Sequence, residues 1–276
     1  MDVTEGWIAP LANARHTGYS RTGFATAYDA CRPRPPSEIV NLLTQLALSP
    51  RPRLVVDLGS GTGLSTLLWG AHADKVIGIE PLDEMRKLAV TNNTSSNVTF
   101  KAGVAQATEL ASGTADIVTC AQSLHHMEPE TTLAEVARIL RPGGLFAAYD
   151  YDYPPVVHWE AENAFLAFID RIGELRLRHG IASKQQQWNK AGHLDRLRDS
   201  GHFRYVRETF LHQREPCSAE RWVGFALTLR LVPPVLDLGL TEDEVGLAGL
   251  RDAARRAFGE AELPWHASYC VRLAVK

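Results

Sequence analysis

From Ser37 onward, short unbroken apolar runs alternate with stretches whose apolar residues recur at helical spacing. Ser37 stands as an N-cap before Glu38 to Leu48, an amphipathic helix that Pro50 and Pro52 end. Leu54-Val55-Val56-Asp57-Leu58 follows as a strand, and a helix is expected from about Leu64. Lys75 to Glu80 reads as the second strand, and Pro81 suits the first turn of a helix running to about Val90. Val98-Thr99-Phe100 and Ala115 to Cys120 are the third and fourth strands. Thr131 to Leu140 is helical, Arg141-Pro142-Gly143-Gly144 is a turn, and Leu145 to Tyr149 is the fifth strand.

Apolar strands that alternate with helices imply a parallel sheet covered on both faces, a doubly wound α/β fold. Such sheets bind ligands beyond the carboxyl ends of their strands, near the point where strand order reverses. That rule directs attention to Gly59 to Gly63, Glu80, Gln122 to His126, and Asp150 to Tyr153. Beyond Tyr153 the pattern changes. Trp159 to His179 and Lys190 to Asp199 read as helices, Phe203 to Phe210 as a strand, Ala219 to Leu231 and Thr241 to Phe258 as helices, and His266 to Val275 as a closing strand. Trp159, Trp188, Trp222 and Trp265 fall in this half; they pack a core or help roof an apolar substrate pocket.

Composition narrows the partners. The formal net charge of −3 gives no basic field to hold a phosphate backbone, which argues against a nucleic-acid partner. Arg171, Arg176 and Arg178 lie close together and read as a solvated helix face. Met1 to Glu5 lacks the charge-then-apolar pattern of a secretory signal, and no apolar run is long enough to span a bilayer. Cys31, Cys120, Cys217 and Cys270 form no C-x-x-C pair, which suits reduced thiols and a cytoplasmic protein. Oligomeric state leaves no mark in the sequence.

The run Val55-Val56-Asp57-Leu58-Gly59-Ser60-Gly61-Thr62-Gly63 carries most of the chemistry. A tight strand-to-helix turn against a ligand needs residues without a Cβ that tolerate unusual backbone angles. A dinucleotide fingerprint, G-x-G-x-x-G, would need a third glycine at Leu64 or at Thr66, and a phosphate-cradling P-loop would need a following Lys-Ser/Thr. Neither is present. Glu80, ending the next strand, is placed to accept hydrogen bonds from both ribose hydroxyls of an adenosine. Leu82 and Met85 after it either wall an adenine ring or pack a helix.

Taken in order, VVDLGSGTG, VIGIEP, ADIVTCAQSLHHM and LAEVARILRPGGLF resemble the class I S-adenosylmethionine (SAM)-dependent methyltransferases that act on small molecules. The likeness is greatest to the branch holding trans-aconitate and quinone-biosynthesis methyltransferases, and it covers roughly residues 24 to 152. Tyr28 to Pro33, with Pro36, resembles that branch's N-terminal lid. The resemblance implies a Rossmann-like, seven-stranded sheet whose last strand runs antiparallel. An N-terminal lid (1–36) would precede a methyltransferase domain (37–276), with cap helices within about 156–200 and 216–264. It implies SAM contacts from Arg32, Asp57, Gly59, Ser60, Gly61, Thr62, Gly63, Glu80, Pro81, Met85, Gly103, Val104, Ala105 and Gln122. The family's turn after the third strand reads G-D-A, whereas this chain has Gly103-Val104-Ala105. The side-chain acceptor for the adenine amino group is therefore missing, with backbone groups and Gln106 left to meet that edge.

His125 and His126 invite a metal or catalytic reading. Adjacent residues of an extended segment point to opposite sides, and no further metal-binding cluster surrounds them in sequence, so no metal site is expected. His125, Tyr28 and Tyr151 are the candidate catalytic residues, His125 as a pocket residue or a general base. Asp152-Tyr153-Pro154-Pro155 resembles the D/N-P-P-Y motif of nucleic-acid amino-methylating enzymes, but it follows the fifth strand where that motif follows the fourth. These features together predict SAM-dependent methylation of a small metabolite at oxygen, nitrogen or carbon. A SAM-binding relative that transfers no methyl fits the cofactor features equally, and a nicotinamide-dependent oxidoreductase would need the absent third glycine.

Overall fold

The computed structural model describes residues 9–16, 18–19, 21–182 and 185–276; the Met1 to Glu5 segment read for targeting, and the start of the expected lid, lie outside them. Seven strands form one sheet: β1 (Val55–Leu58), β2 (Val76–Ile79), β3 (Val98–Lys101), β4 (Ala115–Ala121), β5 (Leu140–Tyr151), β6 (Tyr205–Cys217) and β7 (Leu263–Val275). Their order is β3-β2-β1-β4-β5-β7-β6. The pairings from β3 through β5 are parallel, and β7 runs antiparallel to both β5 and β6, as the resemblance implied. The order reverses between β1 and β4, so the carboxyl ends of those strands flank the switch-point crevice.

Helices α1 (Pro10–Arg15), α2 (Phe24–Cys31) and α3 (Glu38–Leu46) precede the sheet. α4 (Asp83–Asn92) and α5 (Pro129–Ile139) connect its parallel strands. α6 (Trp159–Arg178) and α7 (His193–Asp199) lie between β5 and β6. α8 (Ala219–Leu227), α9 (Pro233–Leu236), α10 (Glu242–Val245) and α11 (Leu247–Phe258) lie between β6 and β7. Side-chain alternation along the strands divides the core into two layers. Val55 and Val76 join Leu43, Phe165 and Trp222 on one face, while Val56, Leu58, Ile77 and Ile79 join Leu133 and Val136 on the other.

Several elements depart from the pattern read in the sequence, each for a local reason. The helix expected from Leu64 is reduced to one 3-10 turn, Thr66–Trp69. Thr66 is tied to Asp57 at 2.6 Å, and Asn97 Nδ2 donates to the Gly70 and Ala73 carbonyls at 2.9 Å each, ending the turn. The helix expected over Thr241 to Phe258 is broken at Gly246. A Thr241/Glu244 capping box closes one turn, and Gly246, with φ +78°, redirects the chain. β6 extends seven residues past the expected Phe210 to Cys217, pairing with β7 throughout. Its exposed positions carry Arg207, His212 and Arg214, which hid a sheet-edge strand from an apolar pattern. Ser37 caps nothing with its side chain, and α5 is capped by Glu128, which accepts from the Glu130 and Thr131 amides. Arg171 and Arg176 staple α6 to the Glu244 and Leu231 carbonyls, so the expected solvated face is partly a docking face. The four cysteines are free thiols.

Candidate active site

A cleft opens above the carboxyl ends of β1, β2 and β4, where a sheet of this topology binds its ligands. Its floor is the glycine turn. Gly59 and Gly61 take φ +67° and +55°; a Cβ on Gly59 would meet Ser123 and Met127, whereas one on Gly61 would project into open space. Gly78 in β2 is the companion requirement, because a Cβ there would stand 2.6 Å from the Phe100 ring and 2.8 Å from Ser60 Oγ.

The cleft's polar groups are buried and only partly satisfied. Glu80 Oε2 accepts from the Gly61 amide at 2.9 Å and Oε1 from the Leu82 amide at 2.8 Å, leaving one lone pair on each oxygen for a ligand. Burial outweighs these bonds and raises Glu80 from 4.5 to about 7. Asp57 is likewise raised from 3.8 to about 6 by burial, and its oxygens accept from the Thr66 and Thr119 hydroxyls. Ser60 Oγ and Thr62 Oγ1 are buried at the cleft with no hydrogen-bond partner among the described residues. Buried polar atoms without partners are uncommon, so these hydroxyls mark where a polar ligand belongs.

A second cavity adjoins the first and shares Tyr19, Tyr28, Arg32, Gln122, His126 and Tyr151 with it. Gln122 holds a left-handed backbone conformation, φ +53°, at the end of β4. There its Nε2 donates to the Tyr151 carbonyl and its Oε1 accepts from Lys190 at 2.6 Å. Strained backbone of this kind persists where surrounding contacts over-determine it. Behind Gln122, Asp150 is buried among three cationic or basic groups: Lys190 Nζ at 3.2 Å, Arg272 at 3.3 Å and His125 Nδ1 at 3.6 Å. Burial favours the neutral acid, but His125 and Lys190 outweigh it and hold the Asp150 carboxyl well below its ordinary range. His125 itself is lowered by burial, against the pull of Asp150, and His126 is lowered much further by burial and by His125.

Residues 56–148 match the methyltransferase domain family. An uncharacterised methyltransferase of Mycobacterium tuberculosis is 30% identical over 154 residues, covering 56% of this chain and 57% of that protein. A probable S-adenosylmethionine-dependent methyltransferase of Saccharomyces cerevisiae is 31% identical over 159 residues, covering 55% and 54%. The chain thus spans little more than half the length of these relatives. A solved structure from Anaeromyxobacter dehalogenans, described as a type II methyltransferase, superposes with a TM-score of 0.61 at 22% identity over 88% of this chain and 97% of its own. Residues 56–148 of this chain thus match a methyltransferase domain, on a fold shared with that solved structure.

The cofactor of that family is SAM, and the cleft suits it: a Cβ-free floor, a buried carboxylate with free lone pairs and two orphaned hydroxyls. Of the fourteen residues expected to contact SAM, twelve line the cleft. Gly63 and Gly103 do not; a Cβ on Gly63 would strike Phe100 and one on Gly103 would press on Ile79, so both glycines serve packing. Asp57 lines the cleft, yet its carboxylate is committed to the two threonines. Val104, Ala105 and Gln106 all reach the cleft, so the departure from G-D-A leaves this wall in place.

The histidines do not diverge as an extended segment would require. Leu124–His126 is a 3-10 turn that brings the two rings to 3.9 Å, and both line the second cavity. Among the described residues no group of three His, Cys, Asp or Glu is arranged to hold a metal. Tyr28 and Tyr151 also line both cavities; burial raises Tyr28 to about 12 and raises Tyr151 as well, so neither is a base at neutral pH. Asp152 is exposed and lines neither cavity. The tryptophans split three ways: Trp222 and Trp265 are fully buried, Trp188 lines the second cavity, and Trp159 is 69% exposed. The second cavity is more polar than expected, bordered by Arg32, Gln122, Lys190 and Arg230.

Sequence reasoning missed Asn13. It is buried, donates to the His126 and Gln186 carbonyls at 3.0 Å each, and accepts the Gln186 amide at 2.7 Å. One side chain therefore ties α1 to both the histidine turn and the segment before Lys190. A single polar residue in an unremarkable helix carries no sequence signal of such a clamp.

Proposed function

We propose that this protein transfers the methyl group of SAM to a small molecule held in the second cavity. The observation that carries this reading is the adjacency of the two cavities, which share Tyr28, Arg32, Gln122 and Tyr151 at their boundary. The cofactor's ribose is assigned to Glu80, its aminoacyl end to the Gly59 to Thr62 turn and Arg32, and its adenine to Leu82, Met85 and Val104 to Gln106. The described residues between 9 and 36 serve as a lid over a methyltransferase domain from residue 37, with cap helices closing the second cavity. No described helix is long and apolar enough to cross a membrane.

Bound in this way, SAM supplies a methyl on a positively charged sulfur that needs no further activation. The chain must then align the acceptor and exclude water. Tyr28 and Tyr151, protonated at neutral pH, position it by hydrogen bonding. His125, neutral at pH 7, takes the proton that a hydroxyl or amine acceptor loses. With Nδ1 facing Asp150, Nε2 is the nitrogen left for that proton, and Asp150 stabilises the charge that results.

The reading is tested by titration calorimetry with SAM and S-adenosylhomocysteine, followed by methyl-labelled SAM against a metabolite panel. Binding of both, and label in an acceptor, is the expected result; no binding of either removes the reading. Glu80→Ala should weaken binding by about tenfold or more. Unchanged affinity would remove Glu80 from the ribose. Binding without transfer to any acceptor would favour a SAM-binding relative that does not methylate.

A further inference from the structure

β6 ends the sheet, so one side of its backbone has no neighbouring strand. Which groups face outward follows from β7. The Lys276 amide donates to the Gly144 carbonyl, and His266 exchanges both backbone bonds with Val156, so even-numbered residues of β7 face the β5 side. Odd-numbered ones then face β6, as the Val275 carbonyl does in accepting from Arg204. In the observed register odd pairs with odd, Thr209 with Val271 and Leu211 with Tyr269 among them. The even-numbered residues of β6 therefore turn their N–H and C=O groups out to the edge. Among the described residues nothing hydrogen-bonds to those outward groups from Val206 to Arg214.

Such an edge invites another strand, and charged side chains usually guard it by repelling a second copy. On β6 the charges are arranged otherwise. Glu208 lies three residues before Leu211 and Arg214 three after it, while Arg207 lies four before and Glu215 four after. A two-fold axis through Leu211 therefore sets each acid opposite a base, on the same face of the sheet. Backbone parity agrees: Glu208, Phe210, His212 and Arg214 are all even, so outward groups meet outward groups across the axis. Moving the axis to Phe210 or His212 keeps the parity but sets Glu208 opposite His212 or Pro216. Glu215 is already held by the Arg34 amide and by Arg221, so the selectivity rests on Glu208 and Arg214. Glu208 meets Arg272 at 3.1 Å through one oxygen, and a carboxylate has lone pairs for a second cation. Phe210, 56% exposed, comes opposite His212 in the same register and supplies apolar surface to bury.

We infer that the β6 edge is a self-association surface on which two copies of this chain pair antiparallel about Leu211. Two seven-stranded sheets then become one continuous sheet. Glu208 of each copy meets the partner's Arg214, twice by symmetry, and the two-fold contact closes at a dimer. The inference is independent of the proposed methyl transfer.

Sedimentation velocity on the full chain, at concentrations up to about 100 µM, should show a dimer that dissociates on dilution. Arg214 is exposed and joins no ion pair among the described residues, so Arg214→Glu leaves the contacts of the monomer intact while placing acid opposite Glu208. Arg214→Glu and Glu208→Arg should each weaken the dimer by about tenfold or more, because like charges then face each other at both ends. An equimolar mixture of the two variants should dimerise again, since every acid then faces a base across the axis. The double variant Glu208→Arg/Arg214→Glu should dimerise alone for the same reason. A wild-type chain that stays monomeric would leave the edge to another partner and overturn the inference. A dimer that persists in both single variants, or folded single variants whose mixture stays monomeric, would overturn it as well. Circular dichroism reports folding; should Glu208→Arg not fold, Arg214→Glu decides alone, and a dimer as tight as wild type would count against the pairing.

Discussion

The Gly61 amide donates to Glu80 Oε2 at 2.9 Å, so the glycine turn after β1 is tied to the carboxylate that ends β2. This bond places a carboxylate in a buried site before any ligand arrives, and burial raises it from 4.5 to about 7. A carboxyl that holds its proton more tightly when folded stabilises the fold below pH 4.5 and loses that contribution as pH rises through 7. In the ligand-free protein, the stability of wild type relative to Glu80→Gln should therefore fall by roughly 2–4 kcal/mol between pH 4.5 and 8. Urea unfolding at the two pH values measures it. A difference that does not change with pH would mean that Glu80 ionises as an exposed acid does.

The two glycines of the turn should fail in different ways. Gly61→Ala places a Cβ in open space above the turn, at the cost of a left-handed conformation worth roughly 1 kcal/mol. It should fold, melt only a few degrees lower, and lose S-adenosylhomocysteine affinity by tenfold or more, because the new methyl occupies the cleft. Gly59→Ala adds contacts of 2.7 and 2.8 Å with Ser123 and Met127 to the same backbone cost. Its larger loss should appear in stability. Thermal melts and calorimetry on both variants separate the cases, and equal effects of both on both measures would contradict the geometry.

Legibility in the sequence followed the physics of each element. The central strands could be read because strands buried on both faces must be apolar throughout, as Val55 to Leu58 and Val76 to Ile79 are. The first half of the site could be read because a turn against a ligand restricts residue choice to glycine at Gly59 and Gly61. The second cavity was less accessible. Lys190, Trp188 and Arg230 reach it from segments some forty residues apart, and only tertiary packing brings them together. The helix expected from Leu64 failed for a related reason: Asp57 in β1 and Asn97 in the turn before β3 capture its side chains and carbonyls. His125 and His126 share a cavity because a 3-10 turn, which two residues of sequence do not announce, replaced an extended segment.

Asn13 should hold the proposed lid in place. Its three hydrogen bonds join α1 to the His126 and Gln186 backbone, and Asn13→Ala would leave buried backbone groups unpaired. Each such group costs about 1–3 kcal/mol. The expected result is faster amide exchange across residues 10–15 and the Gln186 segment, with exchange in β1 and β4 unchanged. Uniformly faster exchange would show that Asn13 supports the whole fold and not the lid.

Under the proposed mechanism, His125 and Asp150 fix the acid limb of the pH–rate profile. Burial lowers His125 below its ordinary value of 6.5, so the neutral base should predominate at pH 7 and kcat/KM should rise with pH only below that value, then level off. Asp150, 3.6 Å away, acts in the opposite sense by favouring the protonated ring. Asp150→Asn removes that pull, so the acid limb should move to lower pH while the plateau falls, because the remaining base is weaker and the charge it gains is no longer stabilised. The same substitution removes a carboxylate from between Lys190 and Arg272, and it should cost roughly 3–5 kcal/mol of stability. Asp150→Glu, which restores the charge, should recover part of the stability and return the limb toward its wild-type position. A purely structural Asp150 would lower the plateau without moving the limb. An acid limb that His125→Gln leaves in place would assign the proton transfer to another group.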